Sequence, residues 1–154
     1  KIGLLPNPPE KPLVTQNPGQ AEGRLLGGNF SLLVSLLGTP YSPDYRGALL
    51  VLEDVDEFTH RIDRMFAQLR NAGILRHVAG LLLGQFTQCG PRDAAQPHLT
   101  IDQVLTEAST WTPGPVIRHF QYGHIPRKLT IPLGLRARLD ASRQKLEVLE
   151  AAVV

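Results

Sequence analysis

The chain has 154 residues, the length of one ordinary domain, and its 42% hydrophobic and 19% charged residues are typical of a globular protein and not of a disordered one. The formal net charge is +2 and the basic residues are scattered. Nucleic-acid-binding proteins carry a clustered basic surface, so we expect no nucleic-acid partner. No apolar run approaches the ~20 residues of a membrane span, and the amino end lacks the apolar core of a signal peptide.

Residues 1–20 carry five of the thirteen prolines, a composition that predicts an extended interdomain linker with a short strand at residues 13–15. Residues 21–154 are then one organised domain. Because the chain begins at Lys1 and its only methionine is Met65, we expect it to be a piece of a longer protein.

The first predicted helix follows the sequence GGN at residues 27–29. Asn29 is a favourable N-cap, and Gly38 supplies the stop. Four leucines recur between them at helical spacing: Leu32, Leu33, Leu36 and Leu37. Since the helix is apolar on most of its circumference, we expect it to be well buried. The two glycines themselves match no phosphate-binding fingerprint and indicate a tight turn.

Two short apolar runs, at residues 47–54 and 78–86, predict strands that are buried on both faces, as in a parallel α/β sheet. Between them, residues 57–73 carry apolar side chains on one helical face and end at a glycine, which predicts a second helix.

A third helix is predicted after Thr100, where Gln103 completes a capping box. A third strand follows at residues 114–120, and alternating residues at 134–140 and 144–150 predict a closing antiparallel hairpin. Alternation of helices and strands in this order predicts an α/β fold: a mixed sheet flanked by helices, with a C-terminal β-hairpin.

Metal ligands and nucleophiles are scarce in this sequence. Cys89 is the only cysteine, so it cannot form an internal disulfide, and His119 and His124 stand five residues apart across a glycine; we predict no metal site. Three further histidines fall on polar helix or loop positions and are predicted to lie at the surface: His60, His77 and His98.

The first buried strand ends in acidic residues, at the edge where open α/β sheets bind their ligands. Glu53 and Asp54 should point to opposite faces because side chains alternate along a strand, so at most one of them is aimed at a given site. For Asp56 and Glu57 we favour a role at the amino end of the next helix. Glu53 still lies in the apolar run, and a buried carboxylate requires a partner.

His124, in the segment FQYGHIPRKL, is a candidate for that partner. A carboxylate bonded to one imidazole nitrogen fixes the tautomer and leaves the other nitrogen free to take a proton from a nucleophile. No serine lies in a strand-to-helix elbow: Ser31 and Ser35 fall within the first predicted helix, and Ser109 ends the third.

Several blocks of residues 21–140, in order, resemble the carboxyl-terminal half of the LD-carboxypeptidases, the muramoyltetrapeptide carboxypeptidase family of serine peptidases. The blocks are the long segment from AEGRLLGGN to NAGIL, then GLLLGQFTQC, then GHIPRKLTIPLGLRARLD.

The resemblance implies a swivelling β/β/α domain that supplies the glutamate and histidine of a Ser-Glu-His triad, matched here by Glu53 and His124. The serine and the oxyanion hole are implied to lie in an amino-terminal domain that this chain lacks. The implied activity is removal of the terminal D-alanine from murein tetrapeptides during cell-wall recycling in the bacterial cytoplasm, by a homodimer, with no metal or organic cofactor.

Two alternatives stay open at this point. One is a self-immunity peptidase that acts on peptide-nucleotide antibiotics, as some relatives of the family do. The other is a noncatalytic folding or dimerisation domain, with the first helix as an interface. The isolated chain is expected to be inactive in each case, because the nucleophile is missing.

Overall fold

A computed structural model describes residues 12–91, 95 and 97–152 of the chain. In chain order its elements are β1 (Val14–Asn17), β2 (Gln20–Asn29), α1 (Phe30–Ser35), β3 (Leu49–Val55), α2 (Thr59–Asn71), β4 (Gly80–Thr87), α3 (Ile101–Ser109), β5 (Val116–Arg118), β6 (Arg136–Asp140) and β7 (Lys145–Val148). None of the helices in this part of the chain is both long enough and apolar enough to cross a membrane.

The strands form one mixed sheet in the order β1-β5-β4-β3-β2-β6-β7. Its four central strands, β5, β4, β3 and β2, run parallel, and β1 and β6 add antiparallel strands at either side. The predicted α/β class, mixed sheet and closing β6–β7 hairpin are confirmed. Parallel central strands bring their carboxyl ends to one edge of the sheet, which is where Glu53 lies.

All three helices pack on one face of the sheet. Alternate strand residues such as Leu50, Leu52 and Leu81 form a core with Phe30 of α1 and Phe66 of α2. The period of two along β3 explains this division, because its remaining side chains point to the other face.

The other face is covered by the sheet itself and not by helices. Residues 20–24 of β2 pair with β6, and residues 25–29 pair with β3, so the sheet curls where β2 changes partner. Leu49 and Val51 thereby pack against Leu139 of β6 and Leu146 of β7. Both faces of β3 are buried, as predicted, although the second layer is a hairpin.

The first helix differs from its prediction in length and burial. It ends at Ser35, followed by a turn, and the expectation that it is well buried is wrong for one side: Leu32 is 68% exposed and Leu36 is 36% exposed. A helix of six residues has less than two turns. Only the side that carries Phe30 and Leu33 therefore contacts the core, and the opposite side faces solvent.

Strand β2 was not predicted from the sequence, although it joins the two halves of the sheet. Its glycines lower the strand propensity of the segment. They are required by close backbone approach: a Cβ on Gly23 would lie 2.2 Å from the Gly47 carbonyl oxygen, and one on Gly27 would lie 1.9 Å from that of Val51.

The strand predicted at residues 13–15 occurs at Val14–Asn17, where it pairs with β5. This part of the predicted linker therefore belongs to the sheet. The linker prediction for residues 1–11 lies outside the described residues.

Candidate functional site

Strand β3 places two buried carboxylates on opposite faces of the sheet. Glu53 is 4% exposed and Asp54 is 2% exposed. Glu53 lies on the face covered by the loop after β5, whereas Asp54 lies on the helical face, beside Ser31 of α1. The predicted alternation is confirmed, and the two carboxylates serve different purposes.

Asp54 holds the amino end of α1. Its carboxylate accepts hydrogen bonds from the Ser31 backbone N–H at 3.0 Å and from the Ser31 hydroxyl at 2.8 Å. It also accepts one from the Asn29 side-chain amide at 3.1 Å, while Asn29 caps the helix by accepting from the Leu32 backbone N–H at 3.1 Å. Since its bonds go to α1 and to the preceding cap, Asp54 is a structural carboxylate.

Glu53 meets His124, 71 residues later in the sequence. The imidazole Nδ1 lies 2.8 Å from Glu53 Oε2, and a carboxylate can only accept, so Nδ1–H is the donor. The Glu53 side chain is 5% exposed, whereas the His124 side chain is 52% exposed. In neutral His124 the unprotonated nitrogen is therefore Nε2, which has no hydrogen-bond partner in the described part of the chain. The pair can accept a proton from a group placed beside the ring.

The loop that carries His124 begins with a sharp turn at the carboxyl end of β5. His119 has a left-handed backbone, with φ of 62°. Two backbone bonds then fix the loop to β4: the Phe120 N–H donates to the Leu83 carbonyl at 3.0 Å, and the Gln85 N–H donates to the Tyr122 carbonyl at 2.9 Å. The imidazole thus projects from a segment that is bonded to the sheet.

Two glycines, Gly84 and Gly123, allow this loop to pass close to the Glu53 carboxylate. A Cβ on Gly84 would lie 2.5 Å from the Tyr122 carbonyl oxygen and 3.2 Å from Glu53 Cβ. A Cβ on Gly123, whose φ is 127°, would lie 3.0 Å from Glu53 Oε2. A side chain at Gly84 would separate the loop from β4, and one at Gly123 would separate it from Glu53 of β3, so both glycines are part of the site.

Tyr122 is an ionisable residue whose pKa is affected by Glu53. Burial raises the pKa of its phenol, and the negative charge of Glu53 raises that pKa further. The phenol is therefore neutral at physiological pH and adds no charge beside the Glu53–His124 pair.

None of the five serines, all of which lie in the described residues, contacts His124. Four hydroxyls bond elsewhere: that of Ser31 to Asp54, those of Ser35 and Ser109 to carbonyls of their own helices, and that of Ser142 to the Gly19 N–H. Ser42 bonds to Tyr45. This part of the chain supplies no serine nucleophile for the imidazole.

Cys89 is not a substitute nucleophile. Burial, aided by the nearby carboxylates, raises the pKa of its thiol to about 11. The reactive form of cysteine is the thiolate, which is scarce at neutral pH when the pKa is this high.

The remaining histidines lie where they were predicted. His60, His77 and His98 are exposed. No cluster of three or more potential metal ligands occurs among the residues that the structure describes.

The residues that hydrogen-bond to the loop carrying His124 were not identified from the sequence. The chief one is Gln85, which is 5% exposed. A signal was present: Gly84 interrupts an apolar run, which in a strand marks a bulge or a close backbone approach. A polar residue directly after such a glycine, still within the strand, is a candidate for a buried hydrogen-bonding role.

Comparison with known protein families identifies the family of this chain. A model of the LD-carboxypeptidase C-terminal domain matches residues 22–139. The chain belongs to this family. The match includes both Glu53 and His124 and ends one residue before the end of β6.

Relatives of this LD-carboxypeptidase domain include a probable murein peptide carboxypeptidase of Bacillus subtilis, which is 42% identical over 142 residues, or 92% of this chain and 44% of that protein. The microcin C7 self-immunity protein MccF of Escherichia coli is 29% identical over 133 residues, or 86% of this chain and 38% of MccF.

Solved structures share the fold. Wild-type MccF in its apo state superposes with a TM-score of 0.79 at 26% identity, covering 92% of this chain and 42% of MccF. A muramoyltetrapeptide carboxypeptidase from Oxalobacter formigenes superposes with a TM-score of 0.75 at 29% identity, covering 90% of this chain and 50% of that one. The LD-carboxypeptidase domain described here thus spans half or less of the length of these relatives.

Proposed function

We propose that the chain is the part of a serine LD-carboxypeptidase that supplies the histidine base and its glutamate, Glu53, for removal of the terminal D-alanine from murein tetrapeptides. The observation that carries this proposal is the 2.8 Å contact between His124 Nδ1 and the buried carboxylate of Glu53. A fixed tautomer with a free Nε2 is what a general base in acyl transfer requires.

In the proposed reaction, a serine hydroxyl from the amino-terminal part of a longer protein attacks the carbonyl carbon of the L,D-peptide bond. His124 Nε2 accepts the hydroxyl proton and later donates it to the nitrogen of the leaving D-alanine as the peptide C–N bond breaks. Water then attacks the acyl-serine ester with His124 again as the base, which releases the tripeptide and restores the hydroxyl.

Glu53 acts through the imidazole. Its carboxylate keeps the proton on Nδ1 and stabilises the imidazolium that forms when Nε2 is protonated. Burial strengthens this effect, because a charge pair is screened less in a low-dielectric surrounding than in water.

A murein peptide is proposed as the substrate because the Bacillus subtilis relative, at 42% identity, is a probable murein peptide carboxypeptidase. Action on an antibiotic is the second candidate, favoured by the TM-score of 0.79 with MccF. Comparing rates on murein tetrapeptide and on an aminoacyl-nucleotide distinguishes the two. We further propose that the longer protein is a cytoplasmic homodimer.

The decisive experiment replaces His124 with alanine in the longer protein and measures D-alanine release from murein tetrapeptide. We expect a loss of turnover of about 10⁴-fold or more, because removal of a triad member leaves only binding and oxyanion stabilisation. His60→Ala, which removes an exposed histidine from α2, is the matched control and should retain the parental rate. Parental turnover by His124→Ala would refute the proposed base.

The isolated chain should release no D-alanine, because positioning and oxyanion stabilisation account for much of the acceleration and the serine is supplied elsewhere. Release by the isolated chain that is blocked by a serine-directed inhibitor would contradict this division of the triad. Sedimentation of the same sample tests whether dimerisation resides in this domain.

A further inference from the structure

Strand β4 contains an irregularity directly opposite Glu53. Leu52 of β3 pairs with Leu83 of β4, but two residues later Asp54 pairs with Phe86, three residues later in β4. Two β4 residues, Gly84 and Gln85, therefore lie opposite one β3 residue, Glu53. This is the pattern of a β-bulge, which bends a strand and redirects its side chains.

The bulge directs the Gln85 side chain to the turn that follows β5. Gln85 is 5% exposed, and its amide Nε2 donates to the His119 carbonyl at 3.0 Å and to the Phe120 carbonyl at 3.4 Å. The backbone N–H of the same residue donates to the Tyr122 carbonyl at 2.9 Å. Gln85 thus bonds to three of the four residues between β5 and Gly123.

This turn is the one at which His119 adopts a left-handed backbone. Such a conformation persists in a residue other than glycine only where the surroundings enforce it. The Gln85 amide holds the carbonyl of His119 itself, and the loop then proceeds through Gly123 to His124.

We propose that Gln85 is a positioning residue, whose buried side-chain amide fixes the turn at residues 119–122 so that the His124 imidazole rests on Glu53. The inference rests on the proposed function only for its catalytic consequence. Its geometric content, that Gln85 controls the His124–Glu53 contact, stands independently and can be measured on the chain itself.

The test replaces Gln85 with methionine, which has a similar length and no donor, and observes the His124 ring by NMR. In the parent chain the Nδ1 proton should be protected from exchange, with the nitrogen shifts of one tautomer. In Gln85→Met we expect a loss of that protection and a mixture of tautomers, because the ring no longer rests steadily on its acceptor.

Ser109→Ala is the matched control. It also removes a buried side-chain bond to a carbonyl, from the Ser109 hydroxyl to Leu105 at 2.7 Å, but within α3. It should lower stability and leave the His124 signals unchanged. If Gln85→Met folds and retains the parental Nδ1–H signal, the proposal is overturned.

A measurement on the parent chain covers the case in which Gln85→Met does not fold. The side-chain amide protons of Gln85 should exchange with solvent much more slowly than those of the exposed Gln88. Equal exchange rates would overturn the proposal, since the amide would then not be held by the two carbonyls.

In the longer protein, Gln85→Met should lower kcat by about 10²-fold, the effect of misplacing a catalytic group by ~1 Å, with little change in KM. If His124→Ala stays active while Gln85→Met still disturbs the ring signals, the proposed catalytic function fails and the positioning role stands. If His124→Ala is inactive while Gln85→Met keeps both kcat and the ring signals, the positioning role fails alone.

Discussion

Replacing Gly84 with alanine is a direct test of how the candidate site is assembled. The added Cβ would lie 2.5 Å from the Tyr122 carbonyl oxygen, 0.9 Å closer than the 3.4 Å at which ordinary contacts begin. The position of the Cβ is fixed by the β4 backbone and its partner is a backbone oxygen, so no side-chain rotation can relieve the overlap. Strand β4 and the loop that carries His124 must move apart.

The cost follows from these contacts. Overpacking of a close-packed region costs about 1–3 kcal/mol. The displaced carbonyl is also the acceptor of the 2.9 Å bond from the Gln85 N–H, and a lost hydrogen bond adds about 1 kcal/mol. We therefore expect the free energy of unfolding to fall by about 2–4 kcal/mol. If the loop moves outward by the full overlap, the 2.8 Å contact between His124 and Glu53 exceeds hydrogen-bonding distance.

Urea denaturation measures the stability, and the protected Nδ1 proton of His124 reports the contact. Gly90→Ala controls for the loss of a glycine, because its Cβ would meet nothing within 4 Å, and should change stability by less than about 0.5 kcal/mol. Gly114→Ala controls for destabilisation elsewhere: its Cβ would lie 2.0 Å from the Ala79 carbonyl oxygen, before β5, so it should unfold more easily and retain the His124 signal. If Gly84→Ala matches Gly90→Ala in both measurements, the explanation of the site by close approach is wrong.

Three further predictions concern two buried groups outside the pair, Asp54 and Cys89. Asp54→Ala should lower the free energy of unfolding by about 2–3 kcal/mol, because it leaves the Ser31 N–H and hydroxyl without their acceptor; an undiminished urea midpoint would contradict this role. Cys89 should react with a thiol reagent about 10²-fold more slowly in the native chain than in urea, since burial raises its pKa to about 11. Because the unfolded thiol ionises first, stability should fall as pH rises from about 9 to 11, by up to about 2 kcal/mol, and Cys89→Ala should show a flatter profile over that range.

Local patterns predicted several features that the structure confirms. The capping box at Thr100 and Gln103 begins α3, and the alternating residues after Gly134 form the closing hairpin. The burial of Glu53 and its opposition to Asp54 followed from the apolar run and the period of two in a strand. These features depend on residues that are close in sequence, which is why the sequence sufficed.

Predictions failed where distant backbones come close together. Strand β2 was missed because its glycines, read locally, indicate a turn, whereas in the fold they let β2 approach Gly47 and Val51. The exposure of Leu32 on α1 depends on which side of a short helix meets the sheet, and nothing within the helix specifies this.

The sequence by itself determined the fold class, the burial of Glu53 near the end of β3 and the histidine on a glycine-preceded loop. The residue pattern offered His124 only as a candidate partner of Glu53, and the tertiary structure brings the two side chains to 2.8 Å. The tertiary structure also revealed the bulge at Gly84 and Gln85, from which Gln85 hydrogen-bonds to the loop that carries His124. The reason is physical: periodicity fixes which way a side chain points from its own strand, but a contact across 71 residues depends on strand order, register and the close approach of backbones.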